Sequence, residues 1–234
     1  MATKVTKGTK DWNDIDFFLR ALRDLRVLRV CRGCGFTLIE LTVVLAVIVT
    51  LALVLTPSIV NFITDARVAR ARNDTQTISA ALIQLYRDTG FFPQWHTANA
   101  GGPGVPADKV DLLVSTGNVP VVAAPNPWTT GTSDLLDDQL MSNAPGYTVR
   151  TATSAFGWNG PYLSASIGAD AWNNRYSANI GLIDTTQGTQ TAGGVTKSAV
   201  WVLSAGANGQ LDTPYTQPIT TALPGGDDIA LRLQ

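Results

Sequence analysis

From Phe36 to Thr56 the chain is apolar at almost every position, 21 residues interrupted by one charge, Glu40. A helix rises 1.5 Å per residue, so about 20 apolar residues cross a hydrocarbon core of about 30 Å. Buried core helices seldom run this long without polar positions, and the stretch is expected to span a membrane. The pattern then changes without a break. Phe62, Ile63, Ala66, Ala69, Ile78, Ala81, Leu82, Leu85 and Tyr86 recur at steps of three and four, with Asp65, Arg67, Arg70, Arg72 and Asp74 among them. That period predicts an amphipathic helix continuing to about Thr89. Gly90 stands where a helix C-terminus wants a left-handed residue, and Pro93 follows. One helix from Phe36 to Thr89 would be ~80 Å long, with kinking expected at Pro57 and near Asn61.

After the helix the periodicity weakens. The runs 101–106 (GGPGVP) and 124–128 (APNPW) are turn-rich. Asp108–Ser115 and Asp134–Ser142 allow two short helices. Arg175–Asp184 and Lys197–Ser204 read as strands joined by a Gly/Thr connection into a hairpin, and Asp228–Leu233 as a last strand. The expected class is α+β: a long helix followed by a small antiparallel sheet.

Charge changes how the apolar run is read. Residues 1–35 carry eight Lys/Arg and four Asp, so a chain whose total is −1 has a basic leader and an acidic remainder. Arg20, Arg23, Arg26, Arg29 and Arg32 precede the run. Basic flanks stay cytoplasmic, which places the N-terminus inside and residues 61–234 across the membrane. No small-x-small site closes the run, which disfavours an ordinary cleaved signal peptide. Residues 15–30 can form an amphipathic helix resting on anionic headgroups, or a solvated leader. The mean composition, with 45% apolar and 15% charged residues, excludes a wholly disordered chain. The absence of a domain-wide basic excess argues against nucleic acid as the primary ligand.

Glu40 is the only Glu in the chain. A carboxylate inside a span costs about 2.5–3.5 kcal/mol on insertion scales and demands a partner, and the span holds no Lys or Arg. Cys31-x-x-Cys34 lacks both the βαβ setting of a redox motif and the second thiolate pair of a zinc site. His96, the single histidine, reads as a loop residue rather than a ligand. Trp95, Trp128, Trp158, Trp172 and Trp201 are read as core anchors rather than as a sugar- or protein-binding surface.

Gly35-Phe36-Thr37-Leu38-Ile39-Glu40, behind a basic leader and opening an apolar run, resembles the processing site of type IV prepilins and type II secretion pseudopilins. The resemblance implies that a prepilin peptidase cuts between Gly35 and Phe36 and that the new N-terminus of Phe36 is methylated. It also implies a pilin-like lollipop, a stalk helix carrying a small head. Pro57 matches a proline common in the family's stalk. Cleavage would give Phe36 an α-amino group, the cation that Glu40 of a neighbouring subunit could pair with. In low dielectric an unpaired charge is heavily penalised, so such pairing selects register between packed helices. Phe36, Glu40 and Pro57 are the expected assembly residues. The expected parts are a leader, 1–35, a transmembrane and polymerisation helix, 36–60, and a periplasmic head, 61–234. Both cysteines would leave with the leader.

Two further stretches resemble the major pseudopilin of type II secretion. Asp170-Ala171-Trp172-Asn173-Asn174-Arg175-Tyr176 is similar to its Asp-Pro-Trp-Gly-x-x-Tyr, with Pro and Gly replaced. Ser204–Gln210 (SAGANGQ) and Gly225–Ile229 (GGDDI) are similar to the two ends of its calcium loop. Tyr86, Gly90 and Pro93 match its helix end. The resemblance implies calcium held by Asp212, Asp227 and Asp228, the Asn208 amide oxygen and carbonyls such as that of Ala205. Calcium takes six to eight oxygen ligands, which this set could help supply. Asn208 stands where that branch has Asp, and fourteen residues with three prolines separate Asp212 from Asp227. The competing reading is a set of ordinary Asx turns.

The leading expectation is a structural subunit of a type II secretion pseudopilus. It would lie in the bacterial inner membrane, polymerise into a periplasmic filament and help move folded proteins across the outer membrane. Implied partners are further copies of itself, the prepilin peptidase, minor pseudopilins, an inner-membrane platform and an assembly ATPase. A type IV pilus subunit is the nearest alternative, although the family's usual C-terminal disulfide has no cysteines here beyond Cys34. A membrane-anchored binding protein that never polymerises is the second. No zinc-protease motif, nucleophile elbow or phosphate loop points to an enzyme.

Overall fold

The computed structural model describes residues 36–93, 95–96, 109–183, 190–191, 194–195 and 197–233. The leader, with Gly35, Cys31, Cys34, its five arginines and the amphipathic stretch 15–30, lies outside them, as do 101–106 and most of the Gly/Thr connection. The chain divides into two compact units, Met1–Ser58 and Ile59–Gln234.

The first described element is helix α1, Leu38–Thr89, 52 residues with Pro57 inside it. It runs through Pro57 and Asn61 uninterrupted. It is the one helix among the described residues long and apolar enough to cross a membrane. Every residue from Phe36 to Arg67 is exposed. From there a buried stripe begins, formed by Ala71, Thr75, Ile78, Ser79, Ala81, Leu82, Leu85 and Thr89. This corrects the predicted face in part. Phe62, Ile63, Ala66, Ala69 and Tyr86 are exposed, while Thr75 and Ser79 are inside. Their hydroxyls bond back to Arg72 O and Thr75 O at 2.9 and 2.7 Å, so each polar group enters the core already satisfied. The helix closes at Gly90, φ +79°, whose N–H donates to Tyr86 O at 2.8 Å.

The rest of the fold is a five-stranded mixed sheet. Its strands are β1 (Leu112–Val114), β2 (Ser133–Leu135), β3 (Ser177–Ala178), β6 (Trp201–Ser204) and β7 (Ile229–Arg232), in the order β2-β1-β3-β6-β7. β4 (Gln190–Thr191) and β5 (Gly194–Val195) make a separate two-stranded ribbon. β1 and β2 are parallel, joined through the short helix α2 (Pro127–Thr130), and the other sheet pairs are antiparallel. The predicted antiparallel head is thus a mixed sheet. The predicted helix at Asp108–Ser115 contains β1 instead. Leu112, Leu113 and Val114 are all buried, and three consecutive buried positions suit a strand covered on both faces. Asp134–Ser142 opens with the last two residues of β2 and is helical from Leu136 onward, ending in the π-helical turn Asp138–Ser142.

Arg175–Asp184 is a strand only at Ser177–Ala178. Asn179 ends it: its backbone N–H still donates to Trp201 O at 3.3 Å, but its side chain takes the return bond. Its Oδ1 accepts from Trp201 N at 2.7 Å, and its Nδ2 donates to Ala199 O and Tyr215 O at 3.2 and 2.9 Å. A 3-10 turn, Ile180–Ile183, follows. The antiparallel pairing of this segment with Trp201–Ser204 is as expected, and so is the final strand, β7.

Side chains alternate across a strand, which sorts the core into two layers. Leu113, Ala178 and Val202 pack with Ile78, Leu82 and Leu85 of α1 and with Leu136 and Leu140. Leu112, Val114, Trp201 and Leu203 face the other way, against Trp128, Leu211, Tyr215 and Ala222. The second layer is therefore roofed by the stretch between β6 and β7. Ser204 pairs with Ile229, so that stretch leaves and re-enters the sheet at one register position. Of the five head tryptophans, Trp95, Trp128 and Trp201 are buried, and Trp158 and Trp172 pack partly buried against the first layer.

Candidate functional site

Two places collect the residues singled out by sequence. The first is the start of α1. Thr37 caps it: Glu40 N donates to Thr37 Oγ1 at 3.2 Å, and Leu41 N donates to Thr37 O at 3.2 Å. Thr37-Leu38-Ile39-Glu40 is the Ser/Thr-x-x-Glu pattern of a helix start, a signal that identifies Thr37 as a cap and that the family resemblance alone passes over. An acidic residue in the first turn also suits the positive end of the helix dipole. Phe36 is 80% exposed, and the aliphatic side chains that follow are exposed all round the helix. The hydroxyls in this stretch are turned onto its own backbone: Thr42 to Ile39 O, Thr50 to Val47 O and Thr56 to Ala52 O, at 2.6–2.8 Å. A segment in lipid must satisfy its polar groups internally, and these do. Pro57 has no N–H, which leaves the Leu53 carbonyl without its helical donor.

The second place is the loop between β6 and β7, where Ala205, Asn208, Asp212, Asp227 and Asp228 all lie. The structure gathers them into one knot but assigns them different work. Asp227 Oδ2 accepts from the backbone N–H of Ala207 and of Asn208 at 2.8 and 3.0 Å, clamping the first turn of the loop to its end. Asp228 Oδ2 accepts three donors, Asp212 N, Thr213 N and Thr213 Oγ1, at 3.0, 2.7 and 2.6 Å. The carboxylate of Asp212 accepts from two side-chain amides, Asn208 Nδ2 at 3.1 Å and Gln210 Nε2 at 2.8 Å. Asn208 Oδ1 in turn accepts from Gln210 N at 2.6 Å. Gly226 has φ +51°, and a Cβ there would collide with the Asp212 carboxylate, so only glycine lets the two ends of the loop touch. Ala205 is buried at the end of β6.

Electrostatically the knot is uneven. Burial pushes the Asp228 carboxyl above the ordinary carboxylate range; its hydrogen bonds from Thr213 and Asp212 oppose this, and the Asp212 charge adds to it. Its Oδ1 is buried and has no hydrogen-bond donor. An orphaned buried carboxylate oxygen beside a second carboxylate is a position that a cation would satisfy. Asp212 is held only by side-chain amides, which can turn away. Asp227 and Asp228 are each held at Oδ2 by two main-chain amides, which cannot turn away, and Asp228 is set apart by its buried, unpartnered Oδ1. That leaves Asp212 and Asp228 as the candidate cation ligands, with Asp227 clamping the loop. As arranged, no group of three or more His, Cys, Asp or Glu side chains among the described residues is disposed to hold a metal ion.

The loop is tied to the rest of the unit from outside. Trp128 Nε1 donates to Thr213 O at 2.8 Å, the Trp128 and Tyr215 rings meet edge to face at 5.2 Å, and Tyr215 OH donates to Asp111 O at 3.2 Å. The Asp170–Tyr176 stretch braces its near end. Asp170 Oδ1 accepts from Trp172 N and Asn174 N at 2.9 and 2.8 Å, while its Oδ2 accepts from Ser204 Oγ at 2.6 Å. Tyr176 OH donates to Asp74 of α1 at 2.8 Å, and Asp74 meets Arg70 at 3.5 Å. The buried Asp170–Ser204 bond and the Trp128–Thr213 bond are supports that sequence reasoning did not find. Neither pair is close in sequence, so no local spacing announces them. Compared with known protein families, with curated proteins and with solved structures, the chain shows no match.

Proposed function

We propose that the chain is a structural subunit of a type II secretion pseudopilus. The observation that carries the reading is the stretch from Phe36 to Arg67: continuously helical from Leu38, exposed at every residue and almost wholly apolar until past Pro57, with one carboxylate in its first turn. Such a segment needs lipid before assembly and other helices after it. Exchanging one for the other costs little apolar burial, because both surroundings are apolar. In this reading the prepilin peptidase cleaves between Gly35 and Phe36 and methylates Phe36. The N-terminal side lies in the cytoplasm and residues 61–234 in the periplasm. The Phe36 amine of one copy meets Glu40 of the next, and head-to-tail contacts of this kind generate an open helical filament. The platform, the ATPase and minor pseudopilins drive and cap its growth.

Calcium belongs to the same reading. Asp212 and Asp228 would hold it, with Asn208 Oδ1 and carbonyls such as that of Ala205 completing the shell. The ion would compensate two neighbouring carboxylates and cross-link a loop that has no disulfide.

The test is Glu40→Gln expressed with the assembly machinery. Filaments should be lost, while the protein still reaches the membrane, loses its leader and resists proteolysis beyond residue 61. Filaments formed at the normal level by this variant, or a chain left uncut between Gly35 and Phe36 by an active prepilin peptidase, would overturn the proposal.

A further inference from the structure

Asn-Gly occurs twice in the chain, at Asn159–Gly160 and at Asn208–Gly209. Asparagine is chemically labile, and a following glycine, lacking Cβ, leaves its own backbone nitrogen open to attack the side-chain amide. The two sites differ in how they hold the reactants. At Asn208 the residue is exposed, and Oδ1 accepts from the N–H two residues on, Gln210 N, at 2.6 Å. That contact folds the side chain back over the intervening peptide, whose nitrogen belongs to Gly209. The Gly209 N–H has no hydrogen-bond acceptor among the described residues. The Gln210 N–H points at the oxygen on which negative charge develops when a nucleophile adds to Cγ, the placement that stabilises an oxyanion. At Asn159 the residue two on is Pro161, which has no N–H, so the same fold-back cannot form.

We propose that Asn208 is an intramolecular deamidation site, and that its conversion turns this corner of the loop into a stronger site for a divalent cation. The second half rests on the calcium reading above; the first does not. Gly209 N forms a bond to Asn208 Cγ. The Cγ–Nδ2 bond breaks, and ammonia leaves carrying the proton that Gly209 N has lost. Water then opens the cyclic imide, its hydroxyl going to one carbonyl carbon and its proton to the ring nitrogen. Opening at the side-chain carbonyl gives Asp at 208; opening at the main-chain carbonyl gives isoaspartate.

The consequence follows from the partner of Nδ2. In the amide form Asn208 donates to Asp212 Oδ2 at 3.1 Å. In the acid form an oxygen faces that oxygen, and a hydrogen bond becomes a repulsion between carboxylates. Asp212 is then released from one of its two donors with a second carboxylate beside it. Affinity of oxygen sites for calcium rises with the number of charged ligands.

The experiment uses the full chain in detergent micelles, held at mildly alkaline pH in ¹⁸O-water and mapped by peptide mass spectrometry. Label should enter position 208 several-fold faster than position 159. Equal rates, or faster conversion at 159, would overturn the deamidation site. Melting of fresh chain, aged chain and Asn208→Asp is then followed against added calcium chloride and chelator. The aged chain and Asn208→Asp should bind calcium on the order of tenfold more tightly than the fresh chain. Labelling at 208 with equal calcium response in all three overturns the cation half alone. Labelling with no calcium response in any of them overturns the calcium reading as well and leaves the deamidation site standing.

Discussion

The sheet is sealed on its two faces by unlike material. On one face lies α1, whose Ile78, Leu82 and Leu85 recur at helical steps and are fully buried. On the other lies an irregular stretch from Ala205 to Ala222, contributing Leu211 and Tyr215, pinned beneath by Trp128. The helix brings its own backbone hydrogen bonds, so its side chains need only be apolar on one stripe. The loop has no ladder, and it borrows partners one at a time: Asp227 for the amides of 207 and 208, Asp228 for Asp212 and Thr213, Trp128 for the Thr213 carbonyl. One cover is held by area and the other by individual polar contacts, and the two should fail differently.

The largest expected effect is on the helix side. Leu82→Ala removes a fully buried side chain and should cost about 2–5 kcal/mol, as large-to-small changes in cores do. Urea unfolding followed by circular dichroism checks it. A loss well below that range would mean that α1 covers its face more loosely than its burial implies. On the loop side the lever is the ion. Removing calcium with a chelator should lower the melting midpoint, since a ligand bound only by the native state at about 100 times its dissociation constant adds about 2.7 kcal/mol. Asp228→Asn should abolish that calcium dependence while leaving an oxygen to accept from Thr213. A wild-type midpoint indifferent to chelator would remove calcium from the loop and leave its hydrogen bonds as the sole cover.

The smallest effect is a control at the far edge of the sheet. Burial, with help from Asp134 and Asp137, raises the Asp138 carboxyl above its ordinary value. A carboxyl raised in the folded state stabilises the fold below the unfolded value, and that contribution is lost as pH rises through the raised one. Asp138→Asn should therefore flatten a slight decline in stability as pH rises through the acidic range. The side chain is partly exposed, so the change should be small. A slope of opposite sign in the titrated melting curves would break the assignment.

The difference between the two covers also explains what could be read from the sequence. α1 was legible because an unbroken apolar run passes into a three- and four-residue period that ends on Gly90. Even there the period alone put Phe62 and Ile63 inside and missed Thr75 and Ser79, since a back-bonded hydroxyl passes as apolar only once its acceptor is known. β7 and the pairing of β3 with β6 were legible as alternating or apolar runs between turns. β1 was not: Leu112–Val114 is three residues long and apolar throughout, too short for its period to separate helix from strand. Asn179 could have warned that the strand before it stops, since Asn disfavours strands. In the loop, the family resemblance implied one site for Asp212, Asp227 and Asp228, and the three lie in the same hydrogen-bonded loop. The choice of clamp and candidate ligand was hidden, because it depends on which donors from residues 207–213 meet each carboxylate across the loop.

The pairing of Ser204 with Ile229 has a further consequence. Because the excursion sets out and returns between two neighbouring, already hydrogen-bonded strands, its length is nearly independent of the threading of the sheet. Lengthening it adds only a logarithmic closure cost. The middle of the segment can be lengthened or shortened at small cost, provided that Leu211 and Tyr215 still fill the second layer and the Asp227 and Asp228 contacts still close its ends. Diversity on this side of the head can therefore accumulate without redesigning the scaffold that carries it.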